Sequence, residues 1–387
     1  MKIKSRDLFK GIGLYIHFPF CVKKCNYCDF VSIPFDKDLA KKYFSYLKKE
    51  IEIFLSQYPN GAKFRIYTLY FGGGTPSLIE PEFLADFLSF LKNNFDFSAL
   101  EEFTLEANPE SITEEKFKIF KELGVDRISM GVQSFNNSTL KLLGRIHTAE
   151  DAIKKYYLLR SLGFNNINLD LIFALPNETF EQQIFSLNSA IELSPEHISY
   201  YSLMLERGTY LNKLKSKMSF PDEKTWLREY EYGRKILENN GFIHYEISNF
   251  GKDGFFSKHN LLYWKSLPYL GFGVSAGGFL GNMRYVNTKT LSLYFSKLEE
   301  GKLPYSFKKH LTIEELKSEY MFMGLRLIDG VDAEDYFERL GSFLEEDCAN
   351  SITKLEALNL IKLEKNNLKL TKKGLRFANE VFREFIT

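Results

Sequence analysis

Four cysteines occur in 387 residues, and three of them fall together as Cys21-x3-Cys25-x2-Cys28. Thiolates held that close repel one another unless a cation stands between them, so the spacing points to a metal site. A closed structural site takes four protein ligands, whereas three leave one metal position open for chemistry. Two sites satisfy that count: zinc with His17 as fourth ligand, or an iron–sulfur cluster with one iron free. His17 sits four residues before Cys21 in a strand-like run, where alternation works against its joining the cysteines, and no second ligand pair forms a zinc knuckle.

Other residues suited to binding follow in order. Gly72-Gly73-Gly74-Thr75-Pro76 allows close ligand approach that a Cβ would forbid, and it lacks the Lys-Ser/Thr of a phosphate loop. Thr104-Leu105-Glu106-Ala107-Asn108-Pro109 places a carboxylate at a strand end. Arg127–Phe135 supplies the amide of Gln133, and Leu143–His147 the cation Arg145. Asp170 lies inside the apolar run Asn168-Leu169-Asp170-Leu171-Ile172, where an unpartnered carboxylate is costly. Far downstream, His244–Phe250 and His259-Asn260-Leu261-Leu262-Tyr263-Trp264 combine imidazoles with flat aromatic faces. Taken singly, each of these polar residues reads as a salt bridge or a buried hydrogen bond, and His259 as a core histidine. Gly271-x-Gly273-x-x-Ala276 mimics a dinucleotide fingerprint, but Gly277-Gly278 follows where a helix should open.

The elements that position these groups alternate between strand and helix from residue 12 to about 205. Strands are predicted at Ile12–Phe18, Ile66–Phe71, Glu102–Glu106, Arg127–Val132, Ile167–Phe173 and Ile198–Leu203. Helices are predicted at Lys37–Gln57, Pro81–Asn93, Glu114–Leu123, Glu150–Leu162 and Glu181–Leu193, with Gly124, Gly163 and Pro195 at the turns. Such alternation implies parallel pairing with right-handed crossovers, and six units make an open, partial (β/α)6 barrel. The cysteines, the glycines and Glu106 each follow a strand, on the rim where barrels carry their chemistry. The expected organisation is therefore α/β: a barrel over 1–205, an α+β extension over 206–305, and a winged-helix-like module over 306–387. In that last module Lys369, Lys372 and Lys373 are too few to argue for DNA.

Composition narrows the class. Net charge is +1, from 51 Lys+Arg against 50 Asp+Glu, which argues against a nucleic-acid binder. Four cysteines do not make a disulfide framework, so a cytoplasmic protein is expected. The start MKIKSRDLFKGIGLYIHFPFC resembles a lipoprotein leader, but His17, Pro19 and Phe20 break that pattern. No apolar run is long enough to span a bilayer, leaving transient membrane contact at most.

With the cysteines preceded by Tyr15-Ile16-His17-Phe18-Pro19, the chain resembles the radical S-adenosylmethionine superfamily. That resemblance implies a [4Fe-4S] cluster on Cys21, Cys25 and Cys28 whose free iron chelates the methionine end of S-adenosylmethionine. It implies cofactor contacts at Tyr15, Tyr27, Gly73, Gly74, Thr75, Glu106, Gln133, Arg145 and Asp170. Among these, Arg145 would clamp a carboxylate, and Tyr27 would pack a ring against adenine. Over 12–385 the chain resembles the relatives of oxygen-independent coproporphyrinogen III oxidase. It departs from the oxidase in carrying Phe30 where that enzyme has a fourth cysteine, and in beginning shortly before Cys21. The H-N-x-x-Y-W run looks like the HemW-type heme chaperones, which implies heme contacts at His259, Asn260, Tyr263 and Trp264. In that family a histidine is common where Gly277 stands, a departure that weakens any second heme-side imidazole. The resemblance implies a heme-acceptor protein as partner and an electron donor if the cluster is reduced. The expected activity is heme binding and transfer, the alternative being oxidative decarboxylation of coproporphyrinogen III.

Overall fold

A computed structural model describes residues 10–58 and 63–386; the basic start weighed as a leader lies mostly outside them. Six parallel strands carry the site: β1 (Ile12–Phe18), β2 (Ile66–Gly73), β3 (Glu102–Ala107), β4 (Arg127–Gln133), β5 (Ile167–Phe173) and β6 (His197–Ser202). Each is apolar on the outer face, where the crossover helices cover it. The first of these helices, Lys37–Leu55, buries Tyr43, Phe44, Leu47, Ile51 and Phe54 at i, i+4 spacing and starts on the side-chain cap of Asp36. Reciprocal capping boxes, Thr148 with Asp151 and Thr179 with Gln182, begin Ala149–Ser161 and Phe180–Glu192. Gly124 and Gly163 take positive φ at the helix ends, as expected of the turns back into β4 and β5.

The sheet does not stop at six strands. Among the described residues it has twelve, completed by β7 (Ile243–Glu246), β8 (Asn249–Gly251), β9 (Tyr269–Phe272), β10 (Gly277–Leu280), β11 (Met283–Asn287) and β12 (Tyr305–His310). The order is β12-β11-β10-β9-β1-β2-β3-β4-β5-β6-β8-β7, open at both ends. Residues 206–305 thus extend both edges of the barrel sheet: β8 runs antiparallel to β6, and β9 lies parallel to β1. Short strands are unstable alone, and pairing along an edge supplies the hydrogen bonds they lack. The glycines that mimic a dinucleotide loop serve this pairing. A Cβ on Gly271 would meet the Gly277 carbonyl oxygen at 1.9 Å, and Gly273 has φ +106°.

Residues beyond 310 build their own core around Tyr320, Leu325, Tyr336, Leu344 and Leu368. Helices Ile313–Gly324, Ala333–Leu340 and Ala349–Ala357 pack with the hairpin Ile361–Glu364/Asn367–Leu370, to which Val331–Asp332 adds a third strand. The Ala333–Leu340 helix is not among the sequence expectations. Lys365 and Asn366 form the hairpin turn with positive φ. Lys369 pairs with Glu364, and Lys373 donates to the Leu358 carbonyl, so these cations serve the module itself. Backbone hydrogen bonds Ile328 N to Tyr245 O (3.1 Å) and Ile247 N to Arg326 O (3.1 Å) dock it on the sheet.

One buried carboxylate locks the β9 edge. Glu50 is 1% exposed and accepts from Gly273 N (2.8 Å), Asn287 Nδ2 (2.6 Å) and Tyr294 Oη (2.6 Å). Burial pushes its pKa up to about 7 against the pull of those three donors. With the folded value above the unfolded one, its contribution is fully present below about pH 4.5 and is lost as pH rises through about 7. Glu50→Ala strands three donors and should cost roughly 3 kcal/mol or more. Urea unfolding of wild type and Glu50→Gln from pH 5 to 8 checks both points: the wild type should lose stability over that range more steeply than the variant.

Candidate functional site

Side chains alternate along a strand, so every second residue of β2–β6 faces the concave side of the sheet. Those residues are Tyr70 of β2, Glu106 of β3, Arg127, Ser129, Gly131 and Gln133 of β4, Asn168 and Asp170 of β5, and Ser199 and Tyr201 of β6. With the cysteine loop and the glycine run they line one cavity of about 360 Å³. Cys21, Cys25, Cys28, Tyr27, Gly73, Gly74, Thr75, Glu106, Gln133, Arg145 and Asp170, expected from the sequence, all border it. Tyr15 does not border it. Its hydroxyl pairs with His17 Nδ1 (2.9 Å), and its ring lies 6.0 Å from that of Tyr70.

The three thiols are free and half-buried. Burial raises the pKa of Cys21, and it pushes Cys28 up to about 11, with Cys25 and Cys21 adding to the rise. Such thiols ionise when metal binding offsets the burial and the mutual repulsion. Thr75 Oγ1 lies 3.5 Å from Cys21 Sγ, and Arg145 Nη1 lies 3.4 Å from Cys25 Sγ, donors of the kind that support cluster thiolates. Among the described residues no three Cys, His, Asp or Glu form a group suited to one metal ion. A cubane cluster spreads its thiolates over three irons, so this donor set fits a cluster. His17, the fourth ligand of the zinc alternative, is 4% exposed, with its ring packed over Gly73.

The glycine run is shaped by its neighbours as well as by any ligand. Gly73 has φ +113°, and a Cβ there would meet the His17 ring at 2.4 Å; a Cβ on Gly74 would meet the Phe20 carbonyl oxygen at 2.7 Å. Glu106 accepts from Gly73 N (2.9 Å) and Tyr70 Oη (2.8 Å), and burial pushes it up to about 7. Asp170 is raised by burial while Asn168 Nδ2 donates to it at 2.7 Å. Gln133 is a non-glycine residue at φ +72°, held by Tyr201 Oη at 2.9 Å, so backbone strain falls at the cavity wall. The expected bidentate clamp at Arg145 meets a competitor: Nη2 already donates to Asn108 Oδ1 (2.7 Å) and to the Gly131 carbonyl (2.6 Å). Asn108 is the residue sequence reasoning passed over. It also donates to Thr75 Oγ1 (3.0 Å), tying three motifs together, and its place two residues after Glu106 was the available signal.

The downstream segment is divided by the wall it builds. Lys258–Trp264 forms a helix whose first amides are held by Glu102, at 2.8 Å from Lys258 N and 3.0 Å from His259 N. Asn260 borders the large cavity. His259 is 1% exposed, and both ring nitrogens are engaged at 2.7 Å, Nδ1 by Thr68 Oγ1 and Nε2 by Tyr263 Oη. Burial, with the charge of Arg127, lowers its pKa to about 3, so the ring is neutral. In this conformation neither nitrogen is open to iron. Trp264 borders a second cavity of about 190 Å³, shared with Tyr245, Leu327 and the C-terminal module. The structure therefore does not bring the four residues expected at heme onto one face.

Residues 15–187 match the model of the Radical SAM superfamily, and residues 311–377 that of the HemN C-terminal domain. Heme chaperone HemW of Bacillus subtilis is 36% identical over 375 residues, covering 96% of this chain and 98% of that protein. Its counterpart in Lactococcus lactis is 35% identical over 381 residues, covering 98% of each. Among solved structures, coproporphyrinogen III oxidase (HemN) from Escherichia coli superposes with a TM-score of 0.84, covering 99% of this chain and 92% of that one. Its identity of 23% makes that likeness one of fold.

Cys25→Ala should abolish the iron-dependent visible absorbance of anaerobically reconstituted protein, and an unchanged spectrum contradicts the cysteine assignment. Gly73→Ala, strained in φ and crowded by His17, should lower the melting temperature of the metal-free protein by several degrees, as expected for about 1–3 kcal/mol of strain.

Proposed function

Because this chain belongs to the HemW family of heme chaperones, built on a radical SAM scaffold, we propose that it binds heme and hands it to an acceptor protein. The observation that carries this reading is near-full-length similarity to heme chaperones, set against a likeness to the oxidase that is one of fold. One feature of the site agrees with it: Phe30, where the oxidase-like pattern places a fourth cysteine, is 61% exposed beside the cluster loop. In this reading Cys21, Cys25 and Cys28 hold a [4Fe-4S] cluster. When bound, that cluster supplies a chelating iron and one-electron chemistry to S-adenosylmethionine. Glu106 takes the methionine ammonium, Asp170 and Gln133 take ribose and adenine polar groups, and Tyr27 gives its ring face. An electron donor is needed only if the cluster cycles. No helix among the described residues is long and apolar enough to cross a membrane.

Heme contact is assigned to the 259–264 segment. His259 reaches iron only if its ring leaves Thr68 and Tyr263. Asn260 and Trp264 are already at cavity walls.

Heme titrated into anaerobically reconstituted wild type should bind at about one per chain, without conversion of coproporphyrinogen III under reducing conditions. Robust formation of protoporphyrinogen overturns the chaperone reading. In His259→Ala, loss of a histidine-ligated heme spectrum with retained folding supports ligation, and an unchanged spectrum makes His259 a structural wedge. Because Glu106 must be a carboxylate to receive an ammonium, S-adenosylmethionine affinity should rise with pH through about 7, measured calorimetrically between pH 6 and 7.5. A flat profile contradicts the role given to Glu106.

A further inference from the structure

On the floor of the large cavity stands a cation that no group among the described residues pairs. Arg127 opens β4, is 2% exposed, and borders the cavity. Its Nε has no hydrogen-bond partner, and it enters no salt bridge among the described residues. Glu106 and Asp170 feel its charge across the space, yet neither closes on it. A buried guanidinium left this way is costly, and natural chains keep such groups where a ligand completes them. Its surroundings fit a ligand. Ser129, Asn168 and Ser199 line the same wall in hydrogen bonds with one another and with Asp170, and Asn260, whose side chain has no hydrogen bond among the described residues, offers its amide to an entering polar end. The other arginine of the cavity is already engaged, since Arg145 spends its Nη2 on Asn108 and Gly131 and faces Cys25 with Nη1.

We propose that Arg127 is a receptor for a ligand carboxylate at the cavity floor, accepting it through the planar fork that suits two oxygens. The inference rests on the functional reading above, in which heme brings propionate carboxylates to the cavity, the methionine end of S-adenosylmethionine being held by the open iron of the cluster. Arg127 is a binding residue here, with no part in any bond made or broken.

The test uses full-length reconstituted protein as wild type, Arg127→Met and Arg127→Lys. Heme and heme dimethyl ester are titrated by absorbance, and S-adenosylmethionine by calorimetry. Arg127→Met should weaken the carboxylate-bearing ligand at least tenfold while leaving its carboxylate-free counterpart within about twofold of wild type, with Arg127→Lys in between. S-adenosylmethionine should bind all three proteins within about twofold. A melting curve of the metal-free protein supplies the control: with an unpaired charge removed, Arg127→Met should melt at or above wild type. Equal loss for heme and its dimethyl ester, no loss for heme, or a fall of several degrees in melting overturns the proposal. Wild type and Arg127→Met binding heme equally well sinks the proposal alone. Wild type that binds no heme overturns the chaperone reading and the proposal with it.

Discussion

A curled parallel sheet must dispose of its concave face, and that constraint governs this molecule. The outer face is sealed by amphipathic helices, but alternation sends every second side chain inward, where only the short Lys258–Trp264 helix covers the sheet among the described residues. Here those positions carry Glu106, Arg127, Gln133, Asn168 and Asp170 in place of the branched apolar residues that fill a closed barrel. Polar groups inside need partners. Most find them in neighbours, as Asp170 does in Asn168, Glu106 in Tyr70 and Gln133 in Tyr201, and Arg127 faces open space. A scaffold of this kind is stable with the cavity empty only at a cost, and a ligand that completes the unmet groups offsets it.

The downstream helix follows from the same constraint. Lys258–Trp264 closes the concave side, and Glu102 at the start of β3 fixes its first amides. His259 and Tyr263 then lie in the wall between two cavities, one bordered by the cluster loop and one by the C-terminal module. A chain of buried hydrogen bonds crosses that wall: Asp170 to Asn168, Asn168 to His197 Nδ1, and His197 Nε2 to Tyr245, which borders the second cavity. The C-terminal module docks beside Tyr245 and Ile247, next to the end of that chain.

Much of this was legible in the sequence, and for identifiable reasons. Strands β1 to β6 fall where alternating runs and glycine turns put them, because local pattern and tertiary burial agree there. The cofactor candidates other than Tyr15 meet at one cavity because most of them lie in or just after strands of the same sheet. Three things were not legible. Residues 206–305 continue the barrel sheet through pairings such as Gly13 with Tyr269, which join positions far apart in sequence. Asn108 and Arg127 are ordinary polar residues until register sets them beside Thr75 and below Glu106. The heme segment reads as one motif, yet helical geometry and the Thr68 and Tyr263 hydrogen bonds turn its members to different surroundings.

The central claim is that this scaffold carries heme to another protein. Stopped-flow mixing of the heme-loaded chain with a heme-free acceptor, followed by the acceptor's heme absorbance, tests it most directly. Hand-over by contact predicts a transfer rate that climbs with acceptor concentration and then saturates. A rate that stays constant, equal to spontaneous heme loss, would contradict it.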